Sequence, residues 1–487
     1  MANYKFHSID FGRVNQLLFF LAVFLIFLLP PTDPDLGWHL RCGEQIWQKG
    51  LLCSQNQFSV LLEGYHWVNH YWLYQAVIFP IFKIFGLWGL TILNGLLMTI
   101  TFFFWYSAIK NFRFEKMIAA GIIIFLGFGV FSFGIRSQLL GLFYFNLILW
   151  LFSKFQTKPN FAFFLPLVML IWANSHGSVI LGLILIFFLG IVKIITEPNH
   201  LLSWVLIFLA SFLVTLINPF SFGIYQEAWR HFGGQKLALL IAEWVPPDRN
   251  VWWLILASSL ILSLYLFAKG TTKSFIHPFS LLPFCFLALS ARRYLPFYFS
   301  FAFYLFLTTA SKSFFKENLV LLAAFLFFAL GFFIRLPQTL AVNSSWESFC
   351  QNSPVNYPYQ AVEFLRKQPA SWRGNIFNRY EWGGFLIWQL PDFKIFVDGR
   401  MPAWLAEAPL SGAKAARYIS PYTIYLETLQ TQPGWQETLN EYKINWLLIS
   451  PGTFMDLLLS PNPEKFGWQE VFRNEISVIY KRKGITS

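Results

Sequence analysis

Two carboxylates, Asp33 and Asp35, stand directly after an almost pure hydrocarbon run, Leu17 to Leu29, in the stretch TDPDLGWHLRCGEQIW. A carboxylate placed there can take a proton from a nucleophile, or two of them can share a hard divalent cation through oxygen ligands. Arg136, Arg292 and Arg293 mark the ends of other apolar runs, and guanidinium pairs bidentately with phosphate oxygens while staying charged. His39, His70, Trp67, Asn174, His176 and Glu243 sit near similar boundaries and are candidates for lining a substrate cavity. Glu381, Trp382, Asp398 and Arg400 form a further group in a polar C-terminal region, in "YEWGGF" and "VDGR". Each residue also has a plainer reading. Asp33 can cap a helix with Pro34 in its first turn, leaving Leu36, Leu40 and Trp47 on one face, as in a helix lying on a membrane surface. The Arg292–Arg293 pair and Arg136 can snorkel to headgroups, and Trp67 can sit at the membrane interface. His176 can be a hydrogen-bonded structural histidine, and Glu243 can anchor a loop. Gly383, Gly384 and Gly399 can make tight turns, with Asp398 and Arg400 as a local structural pair. Both readings stay open for each residue.

The elements that must position these residues are set by composition. Hydrophobic residues make up 56% of the 487 and charged residues 12%, against roughly 25% charge in a soluble domain; mean hydropathy is +0.51. With 59 Phe and 21 Trp, this is the profile of an α-helical polytopic membrane protein whose aromatics suit lipid-facing helices and interfacial belts. The net charge of +12 does not point to nucleic acid, because the Lys and Arg lie mostly in short loops between apolar runs. The first run ends in Leu29, Pro30, Pro31 and Thr32 without a small-residue cleavage pattern, and reads as a retained span. Further apolar segments at about 87–109, 117–134, 139–152, 161–172, 179–195, 201–217, 251–267, 275–289, 294–309 and 319–334 give about 11 spans, several shorter than the ~20-residue ideal.

An N-terminus in the cytoplasm places Lys5, Arg13, Lys110, Arg113, Lys116, Lys154, Lys158, Lys193, Lys269, Lys273, Lys312 and Lys316 inside, as the positive-inside rule requires. The expected protein is thus a multi-pass protein of the cytoplasmic (inner) membrane. Residues 1–335 form its transmembrane domain, with external loops at about 32–74 and 218–250, and residues 336–487 lie outside. The Asp33 loop, Arg136, Asn174, His176, Glu243 and the Arg292–Arg293 pair then share one face, and polar groups at membrane depth usually face a cavity.

From about Pro354 the pattern shifts to short alternating segments. "YQAVEFLRKQ" predicts a helix, "NIFN", "KIFVD" and "INWLLIS" strands, and "WQEVFRN" with "ISVIYKRK" a closing hairpin, together a small extracytoplasmic α/β domain. Cys42 and Cys53 share the first loop, so a disulfide and a pair of free thiols are both open. No acidic cluster completes a metal cage around Asp33 and Asp35; a divalent cation, Mg or Mn, is the one cofactor left open. No Walker loop, dinucleotide fingerprint or nucleotide-sugar signature appears.

"DPDLGWHLRCGEQIWQKG", "FSV", "WVNHYWLYQ", "IRSQLLGLFYFNLILW", "LIWANSHGSVILG", "LINPFSFGIY", "AEWVPPD", "ARRYLPFYF" and "NRYEWGGFLIWQLPDFKIFVDGR" resemble, in the same order, a broad set of bacterial membrane proteins of the GT-C glycosyltransferase superfamily. The resemblance covers nearly the whole chain. The layout is more distantly similar to protein O-mannosyltransferases and to the catalytic subunit of oligosaccharyltransferase, whose "WWDYG" motif has an echo in Tyr380 to Gly384 with its acidic and aromatic positions shifted. Departures are Gly37, where relatives often carry tryptophan, and Ser137, where they carry "RPQ". The resemblance implies transfer of a sugar from a polyprenyl-phosphate carrier, with a first-loop aspartate, Asp33 or Asp35, as catalytic base or metal ligand. Arg136, Arg292 and Arg293 are then the donor-phosphate candidates, one direct displacement inverts the anomeric centre, and the acceptor is a glycan, a lipid or a protein. Two further readings are en bloc oligosaccharide transfer, which makes "YEWGG" a peptide contact, and a non-catalytic transporter or assembly protein that binds lipid-linked glycans.

Overall fold

The computed structural model describes residues 11–487 except 111–112, 156–157, 234–242, 270–271, 311–316, 403, 405, 408–417 and 485–487. The chain forms two compact units. One comprises Met1–Pro30, Leu90–Ala228 and Gln235–Pro337; the other comprises Pro31–Gly89, Trp229–Gly234 and Gln338–Ser487.

The first unit is helical. Its apolar runs become helices, the conformation that satisfies every backbone donor and acceptor within one segment. Among the described residues four helices are long and apolar enough to cross a membrane: α3 (Trp72–Ala108), which begins in the second unit, and the helices Ser137–Phe155, Val179–Thr196 and Arg249–Ala268. The other expected segments are helical too: α1 (Phe11–Ile26) has 16 residues, while Thr272–Ser290 and Glu317–Val342 run to 19 and 26. The expected 117–134 run is split at Gly127, and the 37-residue α3 carries a non-helical residue at Gly86 (φ 60°, ψ −151°).

Large side chains point outward from these helices, Phe125, Leu202, Ile261 and Phe286 among them, while Phe145, Trp172 and Tyr298 are buried. That distribution suits a lipid surround, since water-facing proteins rarely expose contiguous apolar area on this scale. Buried polar groups tie the helices together: Trp105 Nε1 donates to the Ser300 carbonyl at 2.9 Å and Asn94 Nδ2 to that of Phe27 at 2.8 Å.

The second unit is built on strands β1 (Asn375–Asn378), β2 (Lys394–Ile395), β5 (Ile444–Ile449), β6 (Trp468–Arg473) and β7 (Val478–Arg482), with a separate two-residue pair β3 (Ala406–Glu407) and β4 (Tyr418–Ile419). The sheet order is β2-β1-β5-β7-β6, parallel across β2, β1 and β5 and antiparallel through the closing hairpin. The continuous apolar run of "INWLLI" suits β5, which pairs on both sides.

Residues 31–89 group with the C-terminal region, whereas the linear division expected from sequence keeps the first loop with the transmembrane domain. Pairing and packing explain the difference. Phe58–Val60 adds an edge to β2, through Val60 N to the Ile395 carbonyl (2.9 Å) and Ile395 N to that of Phe58 (3.0 Å). Helix α2 (Leu36–Lys49) packs on the Gly383–Gln389 helix, where a side chain on Gly37 would collide with the Gly384 carbonyl group. Cys42 and Cys53 are disulfide-bonded, with Cα atoms 5.6 Å apart.

Candidate functional site

The Asp33–Pro34–Asp35 turn opens α2. Asp33 is buried, and its Oδ1 accepts the Asp35 amide at 3.1 Å. The helix begins at Leu36, and Asp35 at its N-cap position makes no side-chain capping bond, so the expected Asp33 cap is replaced by a bond two residues along the chain. The Asp35 carboxylate accepts Trp38 Nε1 at 2.9 Å instead. Leu36 and Leu40 are buried, while Trp47, on the same helix, is 62% exposed and donates to the Ala76 carbonyl.

C-terminal residues close over this turn. A Cβ on Gly384 would collide with the Pro34 carbonyl and lie 3.4 Å from Asp35 Cα; one on Gly399 would collide with Asp35 Oδ1 and lie 2.8 Å from its Cγ. Gly383, Gly384 and Gly399 are absent from the positive-φ glycines. Gly383 and Gly384 lie in a helix instead of the expected tight turns, whereas Gly399 lies in a turn closed by Met401 N on the Asp398 carbonyl at 3.2 Å, and the missing side chains permit the close approaches. Two tyrosines that the sequence reading did not single out as site residues also belong here. Burial raises the Tyr357 phenol well above its ordinary value, and the charges of Asp33, Cys350, Asp35 and Glu381 raise it further. Burial also raises Tyr380, followed by the charges of Asp35 and Asp398. Their signal is an aromatic residue beside "NYP" and "YEWGG", which sequence alone cannot connect to Asp33.

Asp398 and Arg400 form a buried salt bridge, Nη2 to Oδ2 and Nε to Oδ1 both at 2.7 Å. The guanidinium also donates to Asn56 Oδ1 at 3.1 Å and lies over the rings of Phe58, Trp67 and Trp404 at 5.0, 5.7 and 5.4 Å. Asn56 in turn donates to the carbonyls of Leu61 and Leu62, and Leu62 has φ 55°. Trp67 is thus packed inside the unit. Trp382 is fully buried, with Nε1 on the Asn356 carbonyl, and Glu381 pairs with Arg379 at 2.9 Å. His39 is buried with Nδ1 3.2 Å from Gln75 Nε2, and His70 is buried with its ring 4.0 Å from that of Tyr71.

The other candidates belong to the helical unit. Glu243 is ion-paired with Arg136 at 2.6 Å. Burial alone would raise its carboxyl, but the charges of Arg136 and Arg293 and hydrogen bonds from Arg136 and Trp244 outweigh it and hold it below the ordinary glutamate range. "AEWVPPD" lies along "ARRY": the Glu243 carbonyl accepts Arg293 N at 3.1 Å and the Val245 carbonyl accepts Arg292 N at 3.0 Å. The Arg293 guanidinium lies over Trp244 at 4.8 Å, and exposed Arg292 pairs with Asp248 at 2.9 Å. Asn174 Nδ2 donates to the carbonyls of Leu170 and Ile217, and His176 Nδ1 accepts the Ser178 amide at 3.0 Å. Arg136, Glu243, Arg292 and Arg293 thus form one cluster, while Asn174 and His176 carry local bonds at the ends of their helices.

Among the described residues no three His, Cys, Asp or Glu side chains gather as metal ligands.

Solved structures show what this arrangement is similar to. The archaeal oligosaccharyltransferase AglB from Archaeoglobus fulgidus, in complex with an inhibitory peptide and a dolichol-phosphate, aligns over 90% of this chain and 69% of its own at TM-score 0.58 and 11% identity. The apo form of the Archaeoglobus fulgidus oligosaccharyltransferase aligns over 89% and 69% at TM-score 0.56 and 10% identity. A form tethered to an acceptor peptide containing the NVT sequon gives TM-score 0.53 at 11% identity. The chain has a fold similar to that of these oligosaccharyltransferase structures. No family model and no curated protein matches its sequence.

Proposed function

We propose that this protein is an integral membrane glycosyltransferase that moves a sugar from a polyprenyl-phosphate-linked donor to an acceptor at the outer face of the cytoplasmic membrane. The observation that carries the reading is the Asp33–Asp35 turn, with Asp33 buried, on a fold similar to oligosaccharyltransferases along nine-tenths of the chain. We take Asp33, the more buried of the two first-loop aspartates, as the base, with Asp35 accepting Trp38 Nε1 and packed on Gly399. Its carboxylate takes the acceptor proton as the acceptor oxygen or nitrogen attacks the anomeric carbon. The carbon–oxygen bond to the lipid phosphate breaks in the same step, and the centre inverts.

The lipid-linked donor is supported by the dolichol-phosphate in the AglB structure. The Cys42–Cys53 disulfide supports an oxidising, extracytoplasmic setting for the first loop. The buried Trp382 speaks against "YEWGG" as a peptide contact.

The test is sugar release from a panel of radiolabelled polyprenyl-phosphate sugars by the purified, lipid-reconstituted protein, with and without divalent cation. Asp33→Asn should abolish release by a factor of about 10²–10⁴, the usual weight of a general base. Asp35→Asn keeps an oxygen for Trp38 and should stay within about tenfold of wild type. Tight lipid binding with no release under any condition would instead establish a transporter or assembly protein.

A further inference from the structure

We infer that Gly399 and Gly384 are positioning residues that seat the Asp33–Pro34–Asp35 turn, so that the C-terminal region fixes where the first-loop carboxylates point. The catalytic part of this inference rests on the glycosyltransferase reading above; the structural part does not.

The two glycines act on different atoms of one turn. Gly384 is the second residue of the Gly383–Gln389 helix, and its bare Cα admits the Pro34 carbonyl and Asp35 Cα. Gly399 lies between Asp398 and Arg400, whose buried salt bridge and bond to Asn56 fix the loop, and its bare Cα admits the Asp35 carboxylate. Backbone is thus held by one glycine and side chain by the other. Trp38 Nε1, bonded to Asp35 Oδ1, closes the third side. A methyl group at 399 has one main obstacle, the carboxylate oxygen, and that obstacle moves only by giving up its place beside Trp38. Asp33 Oδ1 is bonded to the Asp35 amide, so any shift of the Asp35 backbone that makes room for the methyl group is passed to Asp33.

A double-mutant cycle tests this on the full-length protein in lipid, with two readouts: hydrogen exchange across residues 33–39 and sugar release. Gly399→Ala should accelerate exchange there and lower kcat by about 10²-fold with KM nearly unchanged, the signature of misplaced rather than unbound reactants. Gly129→Ala, a glycine with open space around its Cα, is the control and should match wild type. In an Asp35→Ala background the obstructing oxygen is gone, so adding Gly399→Ala should change exchange no further.

Should Gly399→Ala fail to fold by itself, recovery in the Asp35→Ala background supports the inference and continued failure overturns it. Equal exchange effects of Gly399→Ala in both backgrounds, or no effect in either, also overturn it. Wild type that releases no sugar from any lipid would refute the glycosyltransferase reading while leaving the exchange cycle to decide the seating.

Discussion

Arg400 shows how much of the second unit depends on one side chain. Its guanidinium is fully buried against Asp398, reaches Asn56 in the first loop, and is walled by Phe58, Trp67 and Trp404. Arg400→Met would leave the Asp398 charge buried without its partner, and breaking such a pair costs about 3–5 kcal/mol. Thermal unfolding of the reconstituted protein should therefore move sharply downward. The double variant Asp398→Asn, Arg400→Met should unfold higher than Arg400→Met alone, because no buried charge remains. A double variant less stable than the single would assign the loss to the aromatic packing instead.

The same logic applies between elements, where pH is the probe. The Phe454–Leu459 helix is tied to the β6–β7 hairpin by Asp456, which accepts from Arg473 at 2.7 Å, from Tyr480 at 2.6 Å and from the Gly452 amide at 2.8 Å. Burial would raise this carboxyl, but those hydrogen bonds and the Arg473 charge outweigh it and hold it below the ordinary aspartate range. A carboxyl depressed in the folded state contributes stability that is complete above its unfolded value and is lost as pH falls through the folded one. Unfolding followed from neutral pH downward should show a loss starting near about pH 4 in wild type that is smaller in Asp456→Asn; parallel curves would rule the carboxylate out. Elements of this kind were legible in the sequence, since "INWLLIS", "WQEVFRN" and "ISVIYKRK" carry strand pattern locally and the apolar runs carry helix. The pairing of Phe58–Val60 with β2 was not, because a three-residue edge has no periodicity and its partner lies far along the chain. Gly384 and Gly399 read as turn glycines for the same reason: the Pro34 carbonyl and Asp35 carboxylate that require them are invisible at their own positions.

At the scale of the whole molecule the glycosyltransferase reading stands on orientation, since a polyprenyl-linked donor used at the outer face requires the C-terminal region to be outside and the short basic loops inside. The cysteines make this measurable on an almost silent background: Cys42 and Cys53 are bonded to each other, and Cys285 and Cys350 are buried. Glu475 is exposed in the turn of the β6–β7 hairpin, and Lys110 is exposed just beyond α3. In intact cells or right-side-out spheroplasts, a membrane-impermeant maleimide should label Glu475→Cys at once and Lys110→Cys only after the membrane is permeabilised. The reverse pattern would turn the molecule over and place its carboxylate turn on the nucleotide-rich side. Labelling of both before permeabilisation would mean that α3 does not separate two compartments, and the multi-pass topology would fall with it. Labelling of Glu475→Cys alone leaves the lipid-linked donor as the chemistry available to Asp33.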